Sequence, residues 1–294
     1  MAAPPFNYLD TLNAVDDALD KNVEFSLAIH RSGLAAFGLP QASGRSAKDV
    51  GVAPWMGRAT PNDLEKARGT LQQFYRDWSA EGSEERDICY GRVLKALQIE
   101  RLKRDSNLRV LVPGAGLGRL VFDLSAAGFS AEGNEISYHQ LLASSYILNA
   151  VKSAGCHTLY PWIHSFSNHK TRNDHMRCVS IPDVHCPSAL REVQKPGEMS
   201  MSASDFLLLY GSEDQKDSFD AVATVFFLDT APNVIRYLET IYNCVRSGGL
   251  VVNFGPLLWH FENNAPGKHN QEFSDSFSDG SRGTCGSREC VFVY

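Results

Sequence analysis

Residues 109–120 have the sequence RVLVPGAGLGRL, an apolar run that meets three glycines spaced two apart and continues into helix-compatible sequence. This pattern predicts a strand, a tight glycine turn and the start of a helix. A turn without side chains lets backbone N–H groups and the helix N-terminus approach a ligand closely, which is how α/β sheets hold nucleotide-like cofactors. The stretch therefore predicts an α/β fold with a cofactor at this turn.

The spacing of the glycines indicates the type of cofactor. A dinucleotide fingerprint needs G-x-G-x-x-G, whereas the third glycine here is Gly118, one residue early, and Arg119 stands in the dinucleotide position. The G-x-G-x-G form is typical of methyltransferases that use S-adenosylmethionine (AdoMet). Glu135 ends a second predicted strand, where a carboxylate accepts both ribose hydroxyls of an adenosine cofactor. The competing interpretation is a turn whose glycines serve only packing, with Glu135 on the surface.

Length, composition and charge set the class of protein. The chain has 294 residues, of which 43% are hydrophobic and 21% charged, enough for one large core or a core with a smaller helical subdomain. The net charge of −6 argues against nucleic acid or an anionic membrane as the main partner. Seven cysteines without C-x-x-C pairs indicate neither a disulfide framework nor a zinc site. With no signal peptide and no apolar stretch of transmembrane length, we expect a cytoplasmic protein that is also compatible with the nucleus.

The chain divides into three predicted segments. Apolar positions at helical spacing precede a Gly-, Pro- and Ser-rich link, and a capped helix begins at Thr60-Pro61. After the last predicted strand the sequence becomes rich in Ser, Asp and Gly, which is typical of disorder. The segments are an N-terminal helical segment and linker at 1–59, a methyltransferase domain at 60–262, and a polar tail with a remnant of the last strand at 263–294.

Two later apolar runs predict parallel strands. They span 219–228 and 250–258, and Ser247-Gly248-Gly249 is predicted to cap the helix between them. Residues 170–200 are predicted to be irregular. Asp229 and His260 follow the two strands, at the sheet edge where open α/β folds bind ligands. The prediction is a mostly parallel, doubly wound sheet with an N-terminal helical extension.

Several motifs resemble those of the carnosine N-methyltransferases, which transfer a methyl group from AdoMet to the imidazole of carnosine and give anserine. The resemblance extends over roughly residues 60 to 262. It implies a Rossmann-like class I methyltransferase that acts on carnosine or a related histidine-containing dipeptide and needs no metal. The matching stretches are QFYRDWS at 73–79, VPGAGLGRL at 112–120, GNE at 133–135, YPWIH at 160–164, SDF at 204–206, FFLDTA at 226–231 and GPLLWHFE at 255–262.

The resemblance also implies roles for individual residues. Arg76 pairs with the AdoMet carboxylate, and Asp229 and His260 bind the substrate and assist catalysis. Asp229 stabilises charge that develops on the imidazole, and His260 orients the ring or relays its proton. The implied cofactor-binding residues are Gln73, Arg76, Gly114, Gly116, Glu135, Asp205, Phe206 and Val225.

Structural roles compete with four of these assignments. Arg76 is also compatible with an i,i+4 surface pair, Phe206 with the core, and His260 with a structural histidine. Asp205 is also compatible with a helix N-cap, a role that coexists with cofactor binding.

The C-terminal sequence departs from the family pattern. The family places a tyrosine directly before a Glu-Cys pair at its last strand, whereas Arg288 precedes Glu289-Cys290 here. We therefore expect truncated C-terminal strands in a shortened or degraded enzyme. Two other functions stay open: a catalytically impaired methyltransferase-like protein that binds AdoMet or a partner, and a nucleotide-dependent oxidoreductase. For partners we expect a small carnosine-like dipeptide, no nucleic acid and no membrane, and a homodimer is also compatible.

Overall fold

The computed structural model describes residues 7–38, 57–261 and 289–293. None of the helices in these ranges is long and apolar enough to cross a membrane. The helices are α1 (Tyr8–Ala36), α2 (Pro61–Trp78), α3 (Ser83–Arg104), α4 (Arg119–Ala126), α5 (Tyr138–Asn149), α6 (Arg172–His175), α7 (Cys186–Glu192), α8 (Phe206–Tyr210) and α9 (Val234–Cys244). The strands are β1 (Arg109–Pro113), β2 (Ser130–Glu135), β3 (His157–Leu159), β4 (Val179–Ile181), β5 (Met199–Ala203), β6 (Phe219–Val225), β7 (Val245–Phe254) and β8 (Glu289–Val293).

The chain forms two compact units, each assembled from separate stretches of sequence. The first comprises Met1–Asp87, Gly116–Arg119 and Ser137–Lys195. The second comprises Ile88–Ala115, Leu120–Ile136 and Pro196–Tyr294.

The second unit is built on a six-stranded sheet with the order β5-β2-β1-β6-β7-β8. All neighbouring strands pair in parallel. Counted along the chain, these six strands have the order 3-2-1-4-5-6 of a doubly wound fold. Apolar residues of β1 and β6, such as Val110, Val112, Ala221 and Ala223, are fully or almost fully buried in its core, as continuous apolar strands of a parallel sheet require. The predicted α/β fold is confirmed.

The start of β7 differs from the prediction. Helix α9 ends at Cys244 and β7 begins at Val245, so the prediction that residues 247–249 cap the helix is wrong. The pairing with β6 shifts register between Phe219, which faces Val245, and Ala221, which faces Leu250. Gly248 has a φ of +72°, which a glycine adopts without steric cost. The glycines therefore serve an irregularity within the strand.

The far edge of the sheet carries β8. Its residues pair in parallel with β7, from Leu250 opposite Glu289 to Phe254 opposite Val293. This strand gives the sheet its sixth strand, and it lies in the segment where a remnant of the last strand is predicted. The rest of the predicted tail lies outside the described residues.

In the first unit, α1 packs through a buried phenylalanine. The Phe25 ring centroid lies 4.9 Å from that of Phe74 in α2 and 4.9 Å from that of His157 in β3. Helix α2 begins as predicted, because the Thr60 hydroxyl accepts from the Asp63 N–H and the Asp63 carboxylate accepts from the Thr60 N–H. Contrary to the prediction of an irregular segment at 170–200, α6, β4 and α7 lie there.

Two half-buried histidines lie in the first unit. His157 Nε2 is 2.7 Å from the Tyr146 hydroxyl, and His164 Nε2 is 3.1 Å from Asn22 Nδ2. Burial lowers the pKa of both imidazoles below their ordinary value of 6.5, and the Arg68 cation lowers the pKa of His164 further. Both rings are therefore held neutral in the folded chain to a lower pH than in the unfolded chain.

We predict that acidification destabilises the chain in the range below about pH 6.5. There the unfolded chain takes up protons that the folded chain does not bind, so the free energy of unfolding falls as the pH falls. Urea unfolding midpoints measured between about pH 7.5 and 5.5 give the pH dependence of this free energy. His157→Gln should flatten this pH dependence, because it removes one imidazole whose pKa burial lowers. The same pH dependence of stability in His157→Gln as in the wild-type chain would contradict the contribution of His157.

Candidate functional site

The glycine turn between β1 and α4 has a backbone conformation that residues other than glycine rarely adopt. The φ angles are +65° at Gly114, +58° at Gly116 and +77° at Gly118. Within the second unit, the Ala115 N–H donates to the Asn134 carbonyl at 2.9 Å, which joins the turn to β2. The three glycines therefore meet a conformational requirement, and the predicted strand, turn and helix are present.

In the second unit, an aromatic ring occupies the space beside the first glycine. A Cβ added at Gly114 would lie 2.5 Å from Cδ2 of Phe227. Sequence reasoning did not single out Phe227, although it lies in the FFLDTA stretch that carries part of the resemblance. Position 114 is therefore restricted to glycine twice, by contact with the Phe227 ring and by its positive φ.

In the first unit, the second glycine lies against a predicted cofactor residue. A Cβ at Gly116 would lie 2.5 Å from Nε2 of Gln73. The Gln73 side-chain oxygen accepts from Gln140 Nε2 at 2.9 Å, which orients the amide. Gln140 has no sequence signal, because only the fold brings α5 next to α2.

Two predicted residues lie at the carboxyl ends of β2 and β6, the two strands on either side of β1. Glu135 ends β2 and is buried, and its Oε1 accepts from the Ile136 N–H at 2.8 Å. Val225 ends β6. Within β2, a Cβ added at Gly133 would lie 2.9 Å from Cβ of Ala115, so this glycine allows the turn to approach the strand. The buried Glu135 carboxylate is suited to accept from hydroxyl groups.

The predicted adenine contacts both have structural roles. Asp205 is the N-cap of α8, and its Oδ1 accepts from the Leu208 N–H at 3.0 Å. Phe206 is 4% exposed, and its ring centroid lies 5.4 Å from those of both Phe227 and Tyr237. The capping and core interpretations therefore describe real contacts, while contacts with adenine stay predictions.

Asp229 and His260 lie together in the second unit. Asp229 is 4% exposed, and its Oδ2 accepts from the Leu258 N–H at 3.2 Å. The backbone N–H of His260 donates to the backbone carbonyl of Asp229 at 3.0 Å. In the side chains, His260 Nε2 lies 3.9 Å from Asp229 Oδ2. That distance fits an ion pair of the protonated ring but is too long for a hydrogen bond. The arrangement holds a half-exposed imidazole beside a buried carboxylate.

Strained backbone flanks this pair. Phe226, directly after β6, has a φ of +53°, and Trp259, directly before His260, has a φ of +48°. Such conformations cost about 1–3 kcal/mol each for residues other than glycine and cluster at functional sites. The Phe226 N–H donates to the Phe254 carbonyl at 2.9 Å, which helps to hold the strained residue. No sequence pattern signals an aromatic residue at positive φ, so neither conformation was predictable.

Arg76 belongs to the first unit and contacts its own neighbour in sequence. Its Nε donates to Asp77 Oδ1 at 2.7 Å, and Nη2 lies 3.4 Å from Oδ2. The Asp77 side chain is almost fully buried, so this is not the exposed i,i+4 pair considered above. The carboxylate fixes the guanidinium at the end of α2, and pairing with AdoMet stays a prediction.

We predict that Gly114→Ala weakens AdoMet binding and lowers the melting temperature. Alanine in the left-handed region costs about 1–2 kcal/mol, and the added Cβ would overlap Phe227. Gly69→Ala is the matched control, because a Cβ at this α2 position meets nothing within 4 Å and alanine favours a helix by about 0.8–1.0 kcal/mol. Calorimetric titration and thermal unfolding measure both effects. Equal AdoMet affinity in the two variants would contradict the role of the turn.

The carnosine N-methyltransferase family model matches residues 54–279 of the chain. The carnosine N-methyltransferase of Schizosaccharomyces pombe is 40% identical over 270 residues, which is 90% of this chain and 69% of that protein. The carnosine N-methyltransferase of Rattus norvegicus is 42% identical over 210 residues, 70% of this chain. The matched region is 50% of the rat protein, so the chain spans about half the length of that relative.

Among solved structures, an arsenic(III) S-adenosylmethionine methyltransferase from Chlamydomonas reinhardtii is 19% identical, with a TM-score of 0.31. That match covers 48% of this chain and 36% of the other. The sequence matches carry the assignment, because the family model spans most of the chain and the yeast relative matches nine-tenths of it. The chain therefore belongs to the carnosine N-methyltransferase family.

Proposed function

We propose that the chain transfers the methyl group of AdoMet to an imidazole nitrogen of carnosine, giving anserine, or of a related histidine-containing dipeptide. The observation that carries this proposal is the Asp229–His260 pair, which follows β6 and β7 at the ligand-binding edge of a doubly wound sheet. Membership of a family whose members are named for this reaction supports the substrate.

The second unit fits the adenosine part of AdoMet. Gly114 keeps the turn free of a side chain, and the Glu135 carboxylate lies buried at the end of the adjacent strand. We propose that Glu135 accepts from the ribose hydroxyls, that Asp205 and Phe206 contact the adenine, and that the Val225 backbone lies against the cofactor. When bound, AdoMet supplies an electrophilic methyl group on a sulfonium. Gln73, Arg76 and Gly116 belong to the first unit, and their predicted contacts with AdoMet are part of the proposal.

The substrate pair performs the remaining tasks. Methyl transfer needs an uncharged imidazole nitrogen about 3 Å from the methyl carbon with its lone pair aligned. The ring gains positive charge as the new N–C bond forms, and the buried Asp229 carboxylate stabilises that charge. His260, half exposed beside Asp229, orients the substrate ring or accepts the proton that leaves its second nitrogen. These groups act by position and charge, without covalent catalysis.

Incubation of the purified chain with AdoMet and carnosine tests the reaction, with mass spectrometry to detect a product one methyl group heavier. We predict that Asp229→Asn lowers the rate by about a hundredfold or more, as removal of one charge-stabilising group does elsewhere, with little change in AdoMet affinity. Asp214→Asn, at an exposed position in the same unit, is the charge-matched control and should keep the wild-type rate. An active Asp229→Asn protein would refute the substrate role.

We predict that Glu135→Gln weakens AdoMet binding by about 1–3 kcal/mol, the usual cost of leaving buried polar groups badly paired. Calorimetric titration of AdoMet measures the change. Glu213→Gln, at an exposed position, is the control and should leave the affinity unchanged. Wild-type affinity in Glu135→Gln would remove the ribose role.

Arg288, in place of the family's tyrosine, gives a specific reason to keep a second function. A chain that binds AdoMet but yields no product would favour a binding-only methyltransferase-like protein. A cytoplasmic and nuclear location and a homodimer stay predictions.

A further inference from the structure

We infer that Asp183 is a positioning residue for AdoMet binding, acting through two arginines that hold the end of α2 and the second half of the glycine turn. This inference rests on the proposed AdoMet site. Every contact that carries it lies within the first unit.

Asp183 follows β4, and its two carboxylate oxygens bind different arginines. Oδ1 accepts from Arg119 Nη1 at 2.6 Å, and Oδ2 accepts from Arg86 Nη2 at 2.8 Å. All three side chains are largely buried. One carboxylate therefore joins residues 97 and 64 positions away in the sequence.

The three residues together bind the backbone at the end of α2. Arg86 Nη1 donates to the carbonyls of Arg76 and Ser79 at 2.6 and 2.7 Å. Arg119 Nη1 donates to the Asp77 carbonyl at 2.8 Å, and the Asp183 N–H donates to the Trp78 carbonyl at 2.9 Å. The last carbonyls of a helix have no partners within the helix, and cations are favourable near that end. Four consecutive carbonyls of residues 76–79 are satisfied in this way.

The same contacts reach the glycine turn. Trp78 Nε1 donates to the Leu117 carbonyl at 3.1 Å, and the Arg119 guanidinium carbon lies 5.0 Å from the centroid of the Trp78 ring. Arg119 occupies the position at which a dinucleotide-binding G-x-G-x-x-G motif has its third glycine. Its side chain explains why that place holds an arginine, because it connects the turn to α2 and to Asp183.

The residues of the first unit that are predicted to contact AdoMet lie on α2 and in the glycine turn, which these hydrogen bonds connect. Gln73 and Arg76 lie on α2, and Gln73 lies directly against Gly116. A buried ion pair is weak evidence for stability, because the cost of desolvating its charges offsets much of the attraction. Two arginine side chains that donate to one helix end, and that are held by the same carboxylate, fix the position of that end. Misplacement of a binding group by about 1 Å is enough to lose about a hundredfold in rate. Asp183 thus helps to set the position of α2, which carries Gln73 and Arg76.

Asp183→Asn and Asp220→Asn form a matched pair of variants. Both aspartates have a 14% exposed side chain and an arginine partner, which for Asp220 is Arg246 at 2.6 Å. Asp220 lies in the second unit and has no predicted site role. AdoMet affinity is measured by calorimetric titration of the full chain, at a temperature where both variants are folded. We expect the dissociation constant to rise about tenfold or more in Asp183→Asn and to stay within about twofold in Asp220→Asn.

The dissociation constant and the binding stoichiometry together show whether Asp183→Asn displaces the binding groups or reduces the amount of folded protein. Displaced binding groups raise the dissociation constant, and the KM for AdoMet, with kcat recovered at saturation. Partial unfolding instead lowers the binding stoichiometry and kcat, with the dissociation constant unchanged. If Asp183→Asn does not fold, Arg119→Lys replaces it, because lysine keeps the charge but not the planar guanidinium.

The outcomes distinguish this inference from the proposed function. Failure of the wild-type chain to bind AdoMet would overturn the proposed function and the inference that depends on it. Wild-type binding with equal affinity in Asp183→Asn and Asp220→Asn would overturn the role of Asp183 alone. Weaker binding in Asp183→Asn at full stoichiometry would support it.

Discussion

The steric limit on the turn between β1 and α4 is the constraint on which the proposed site depends. Gly114, Gly116 and Gly118 all have positive φ, and a Cβ on any of them would come within 3 Å of a neighbouring side chain. The turn therefore carries no side chain where the strand ends, which lets a cofactor approach its backbone and the start of α4 closely. The parallel order of the strands then places Glu135 and Asp229 at the same edge of the sheet.

Features with a local physical cause were predictable from the sequence. Thr60 and Asp63 form their capping box through groups three residues apart. The apolar runs that became β1 and β6 predict buried strands, since both faces of a parallel sheet are covered. The positions of Asp229 and His260 followed from the same pattern, because residues after adjacent parallel strands come to one edge.

Features that depend on distant contacts were not predictable. Asp183 lies in a segment predicted to be irregular, and its importance comes from arginines far away in the sequence. Gln140 orients Gln73 only because the fold packs α5 near α2. Residues 247–249 resemble a helix cap in sequence but lie within β7, in the register shift between the residues that face Phe219 and Ala221 of β6.

The most direct test of the central claim is calorimetric titration of the full chain with AdoMet and, separately, with NAD⁺. The G-x-G-x-G spacing and the family assignment predict saturable binding of AdoMet and none of NAD⁺. Binding of NAD⁺ without AdoMet would contradict the account, because it would make the early glycine at Gly118 irrelevant to cofactor choice.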